Sequence, residues 1–142
     1  MATFLFWNLN RKPLQNAIVH LCQEHMVDVL ILAESRIPDA ELLEALNRGQ
    51  SSKFQLPFNL SKRLSFFIRF PRDSFKPILD DGGIAIRHLV SPIGLDILLV
   101  ALHLPSKMHS RDSDQAFHIV RVAQVIKLKG CSNEAKEPLR AA

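Results

Sequence analysis

Three apolar runs in this chain each stop at a single polar residue. Phe4-Leu5-Phe6-Trp7 stops at Asn8, Val29-Leu30-Ile31-Leu32-Ala33 at Glu34, and Ile97-Leu98-Leu99-Val100-Ala101-Leu102 at His103. Runs this short and this apolar read as buried strands, and the second, continuous from Val27 to Ala33, as one covered on both faces, which suits a layered domain of sheets and helices. None approaches the ~20 residues needed to span a bilayer. The ends of such strands are where side chains from distant stretches converge on a ligand. An amide, a carboxylate and an imidazole placed there suit a hard cation and a phosphate ester. For each residue alone, the plainer reading is a polar side chain where a buried strand meets solvent.

The pattern between these runs is mixed. Leu14, Ala17, Ile18, Leu21 and Cys22 recur at helical spacing, with Pro13 suited to the first turn and His20 and His25 at the surface. A strand over residues 3–7, this helix and a strand over residues 27–33 make a βαβ-like unit, although order alone leaves open whether the strands pair. Ala40, Leu42, Leu43, Ala45 and Leu46 predict a second helix ending near Gly49. A third strand is expected over residues 64–70, then an interruption over residues 71–77. Asp80 and Asp81, before Gly82 and Gly83, read as turn formers. Residues 84–90 and 95–102 are expected as an antiparallel hairpin around a turn at residues 91–94. Ala116, Ile119, Val120, Ala123 and Ile126 predict a last helix, capped by Asp112 or Ser113.

With 142 residues, 47% of them apolar and 23% charged, the chain is one globular domain in size and composition. Cys22 on a helix stripe and Cys131 in a polar tail suggest free thiols in a reducing, cytoplasmic setting. No secretory signal is evident, so the Asn59-Leu60-Ser61 sequon is expected to be idle. The net charge of +4 is partly concentrated in Lys62, Arg63, Arg69, Arg72 and Lys76. That stretch reads either as a solvated face or as a contact surface for a phosphate backbone.

Trp7-Asn8-Leu9-Asn10, the run ending Ala33-Glu34-Ser35, Gly83-Ile84-Ala85-Ile86, and Ala101-Leu102-His103-Leu104-Pro105-Ser106 together resemble, in order and spacing, the first half of the endonuclease/exonuclease/phosphatase (DNase I-like) superfamily. The resemblance implies an α+β fold, a partial four-layer sandwich of mixed, largely antiparallel sheets flanked by helices, with the second half missing. Residues 1–128 would form the N-terminal half of the domain and residues 129–142 a frayed tail. It implies that Glu34 binds magnesium, with manganese as a substitute, and that Asn8 lies near the metal and the scissile phosphate. His103 would contact or protonate that phosphate. Asn10, Ser35, Arg36, Ser106 and Lys107 are secondary candidates, each equally readable as a loop residue; Trp7 reads as core packing.

The chain also departs from the family. It has no Gly-Asp-x-Asn and no Ser-Asp-His-type motif, which in the superfamily supply a water-orienting aspartate and a second histidine. The expectation is therefore a magnesium-dependent phosphodiesterase or nuclease-like domain that is truncated and inactive alone. Its substrate would be a phosphate ester, nucleic acid among the options. A complementing second half, or self-association through uncovered strands, would cover the exposed apolar edges. The alternative is a non-catalytic remnant or interaction module on the same scaffold.

Overall fold

The computed structural model describes residues 1–90, 96–104, 116–117 and 119–124. The chain divides into two compact units, Met1–His103 and Leu104–Ala142.

The first unit is α+β. Its elements are β1 (Phe4–Asn8), α1 (Gln15–Glu24), β2 (Val29–Ala33), α2 (Asp39–Asn47), β3 (Leu64–Ile68), a 3₁₀ turn (Arg72–Ser74), β4 (Phe75–Asp81), β5 (Ile84–Leu89) and β6 (Ile97–Leu102). They form two three-stranded sheets, ordered β1-β2-β3 and β4-β5-β6. β1 and β2 pair directly and in parallel, Phe4 opposite Val29 and Asn8 opposite Ala33, which settles the pairing that element order left open. β3 runs antiparallel to β2, and the second sheet is antiparallel throughout.

Alternation along the strands divides the core into two layers. Leu30, Leu32 and Phe67 face α1 and α2, meeting Ile18, Cys22, Leu42 and Leu46, with Leu5 and Trp7 packed against them. Val29, Ile31, Ala33, Leu64, Phe66 and Ile68 face the second sheet, meeting Phe75, Ala85, Leu89 and Ala101. Every residue of β2 is buried because both of its faces are covered. β1, at the sheet edge, is covered only toward the helices, and Phe4 and Phe6 on its other face stay 38% and 48% exposed.

Cys22 sits on the buried stripe of α1, where burial pushes its thiol up to about 11, only partly offset by the Arg69 cation. At pH 8 the thiolate is then a small fraction, and the sulfur is also inaccessible. Site-resolved mass spectrometry after iodoacetamide treatment is expected to show Cys22 unmodified in the native protein and modified in urea. Native labelling of Cys22 would refute the packing described.

Three expectations are corrected. The predicted interruption over residues 71–77 contains the start of β4, with Pro77 inside it. Pro77 is tolerated because β4 is an edge strand with a register shift between Pro77 and Leu79, so its missing N–H leaves no ladder partner unsatisfied. Asp80 and Asp81 are strand residues, and only Gly82 and Gly83 make the turn. In the second unit, residues 116–117 and 119–124 are helical, but Ile119 and Val120 are exposed and Val122 is buried. Ile119, Val120, Val122 and Ala123 put apolar groups on more than one face, so periodicity alone could not select the inward one. The turn at 91–94, the cap at Asp112 or Ser113, Ser106, Lys107, Cys131 and the tail 129–142 lie outside the described residues.

No helix among the described residues is long and apolar enough to cross a membrane.

Candidate functional site

Glu34 and His103 meet where the two sheets end. His103 Nε2 lies 3.1 Å from Glu34 Oε1, with side chains 12% and 31% exposed respectively. The contact is an ion pair when the imidazole is protonated. It joins the end of a strand in one sheet to the end of a strand in the other.

The backbone at Glu34 is strained. Its φ is +51, in the left-handed region that a side chain with a Cβ disfavours. Two neighbouring loops hold it there: Glu34 N–H donates to Arg63 O at 3.4 Å, and Arg11 N–H donates to Glu34 O at 3.0 Å. Asn10 and Arg11 are themselves left-handed, with φ of 46 and 60. Strain of this kind persists only where surrounding structure over-determines it, and it clusters at working sites. The consequence is directional. Continuing the extended conformation of β2 would send Glu34 toward the helices, since Ala33 before it faces the second sheet; the left-handed turn brings its carboxylate to His103 instead.

His103 is fixed from behind by Gly83. Its N–H donates to Gly83 O at 2.6 Å, and a Cβ built on Gly83 would fall 1.9 Å from His103 O. Gly83 thus permits a backbone approach that no other residue allows.

Asn8 ends β1 beside Ala33, one residue from Glu34. Its Oδ1 accepts from the N–H of Asn10 at 2.9 Å, which orders the loop after β1. No hydrogen bond joins its side chain to Glu34 or His103 among the described residues. The structure therefore brings Glu34 and His103 together and places Asn8 at the same sheet end. Ser35 is occupied locally, its Oγ accepting from Ile37 N–H at 3.2 Å ahead of α2. Trp7 packs against the helical layer.

Part of the basic stretch is structural. Arg69 donates from Nε to Val27 O and from Nη1 to Ser52 O, and stacks over Phe54 at 4.3 Å. Sequence reasoning also missed a buried polar network in which Arg87, between the sheets, pairs with Asp80 at 2.7 Å. The signal was present: a lone arginine inside the apolar run Ile84-Ala85-Ile86-Arg87-His88-Leu89 needs a buried partner. Asn59, the sequon residue, is part of this network, accepting from Arg87 Nη2 at 3.0 Å.

Among the described residues no three His, Cys, Asp or Glu side chains gather as a metal cage. The donor set at the strand ends still fits a magnesium-type ion, which takes one or two carboxylates and keeps several waters. Among the described residues, Glu34 has one carboxylate oxygen on His103 and its other oxygen without a partner. Asn8 Oδ1, with a single hydrogen bond among the described residues, retains a lone pair.

Comparison of the chain with protein families, with curated proteins and with solved structures finds no match.

Proposed function

We propose that the strand ends carry part of a metal–phosphate centre of the endonuclease/exonuclease/phosphatase type, in a magnesium-dependent phosphodiesterase or nuclease-like domain that is inactive as this chain alone. The observation that supports the reading is the Glu34–His103 pair, made by a strained backbone turn and by a glycine that admits no Cβ. In it Glu34 would hold magnesium, with manganese as a substitute, and Asn8 would add an amide oxygen or orient the phosphate. The ion's contribution when bound would be to polarise a phosphoryl oxygen. His103 orients the Glu34 carboxylate and can present a proton or positive charge to a phosphate oxygen. No described residue at the site supplies a second carboxylate to orient a water, which is why turnover is not expected. A reducing, cytoplasmic setting agrees with the free, buried Cys22.

Trp7, the single tryptophan and the neighbour of Asn8, reports on the site. Magnesium titration is expected to change its fluorescence saturably in the native protein and to leave Glu34→Gln unchanged. Hydrolysis of DNA, RNA and a model phosphodiester should stay at background with or without magnesium. A titration identical in both proteins would sink the metal assignment; robust turnover lost in Glu34→Ala would sink the claim of inactivity.

A second reading, a non-catalytic interaction module, is favoured by the exposed Phe4 and Phe6 on β1. It requires partner binding indifferent to Glu34→Ala and His103→Ala.

A further inference from the structure

We infer that the strand-end site is rimmed by a docking surface for a nucleic-acid backbone, formed by Arg11, Lys12, Arg36, Lys62 and Arg63. The inference rests on the reading of this sheet end as a phosphate site and names the partner class. The five residues come from three loops: Arg11 and Lys12 follow β1, Arg36 follows β2, and Lys62 and Arg63 precede β3. These loops meet at one point, because the peptide groups of Glu34 bond to the backbone of Arg11 on one side and Arg63 on the other. All five side chains are exposed, and among the described residues none forms an ion pair or hydrogen bond. The only acidic residue in the same loops is Glu34, already paired with His103. α1 also begins at this end, with no acidic residue in its first turn to offset its positive pole.

Unpaired like charges on adjoining loops repel one another, and a bound anion would relieve the repulsion. Their number and exposure decide which anion. A small phosphate ester is held by two or three donors converging in a pocket, whereas five cations spread around a rim match a chain of regularly spaced phosphates. The arginines add planar forks suited to phosphate oxygens. A lipid surface fits less well, since Phe58 and Leu60 are the large apolar side chains exposed in these loops, against five exposed cations, and insertion needs an extended apolar face. This basic surface differs from the one the linear sequence suggests: Arg69 is consumed in packing, and Arg11, Lys12 and Arg36, far from residues 62–76 in the chain, take part.

The test is fluorescence anisotropy of a labelled 20-nucleotide single strand with the full chain, in EDTA, across a salt series. With five contacts engaged, log affinity should fall against log salt with a slope of about −3 to −4. Arg11→Gln/Lys12→Gln/Arg36→Gln and Lys62→Gln/Arg63→Gln should each weaken binding at least tenfold at low salt and flatten the slope by about 1 to 2. Lys12→Arg/Lys62→Arg should bind like the parent, and Arg48→Gln/Lys53→Gln, which removes cations at the C-terminal end of α2, should change affinity less than twofold. In the unmutated protein, bound oligonucleotide should protect Lys12 and Lys62, but not Lys53, from acetylation. The inference is overturned by absent oligonucleotide binding, by equal losses in the Arg48→Gln/Lys53→Gln variant, by unprotected Lys12 and Lys62, or by tighter binding to phosphoinositide-containing vesicles. Because EDTA removes divalent metal, the result is independent of the metal centre, whose own test is the Trp7 response of Glu34→Gln.

Discussion

Asp80→Ala is expected to destabilise the first unit by about 3–5 kcal/mol, the cost of leaving one member of a buried ion pair without the other. Arg87 is fully buried, and its Nη2 donates to Asp80 Oδ1 at 2.7 Å. Its remaining hydrogen bonds go to the carbonyls of Leu79 and Ile86 and to Asn59 Oδ1, and the guanidinium lies 4.8 Å above the ring of Phe66. Nε already lacks a partner, so nothing is held in reserve when the carboxylate is removed. Asp80 Oδ2 also accepts from Leu60 N–H at 3.2 Å, tying the loop before β3 to β4, so that loop should loosen as well. Domains are stable by only about 5–15 kcal/mol, so the variant should be largely unfolded or melt far below the parent. Urea denaturation gives the size of the effect. Arg87→Met with Asp80→Leu, which removes both charges, should recover much of the loss, because apolar groups of similar volume need no partner. A loss under about 1 kcal/mol for Asp80→Ala would mean that water reaches Arg87 and that the pair is not buried as described.

Gly83→Ala is expected to remove the Glu34–His103 contact and to destabilise the end of the β5–β6 ladder by about 1–3 kcal/mol, the range for forcing atoms into filled space. The atoms in the way are backbone, His103 O at 1.9 Å and His103 C at 3.0 Å from the new Cβ, so no side chain can swing aside. The ladder must open, and His103 moves with it because its N–H is bonded to Gly83 O. Gly82→Ala is the matched control. Nothing lies within 4 Å of a Cβ there, and its φ of +58 should cost about 1–2 kcal/mol from backbone conformation alone. The ring resonances of His103 separate the two cases. In the parent and in Gly82→Ala they should shift when Glu34 is changed to Gln, whereas in Gly83→Ala they should be indifferent. Sensitivity to Glu34 retained in Gly83→Ala would show that the close approach does not position the histidine.

The elements legible in the sequence are those whose burial pattern is unambiguous. β2 and β5 are dense in apolar and β-branched residues because both faces are covered, and α1 and α2 show one clear stripe each. β4 was illegible because Lys76, Pro77, Asp80 and Asp81 are all disfavoured in a strand. It forms regardless, since an edge strand can accommodate a proline at a bulge and since Asp80 is compensated by Arg87 across the hairpin. Tertiary contact overrode local preference there.

The candidate site divides along the same line. Apolar runs ending in Asn8, Glu34 and His103 were determined by the sequence alone, because a strand that packs into a core stays apolar until it emerges; of the three, only β2 proves to be covered on both faces, while β1 and β6 keep exposed apolar side chains. Which of those polar residues meet was decided only by the tertiary structure. The left-handed turn at Glu34 depends on hydrogen bonds from loops far away in the chain, and the approach of His103 depends on the missing Cβ of Gly83. The same holds for charge. A count of lysines and arginines reports a basic chain, but only the fold commits Arg69 and Arg87 to packing and, among the described residues, leaves Arg11, Lys12, Arg36, Lys62 and Arg63 unpaired on the loops that meet at Glu34. Partners for a charge are set by distance in space, which separation along the chain does not encode.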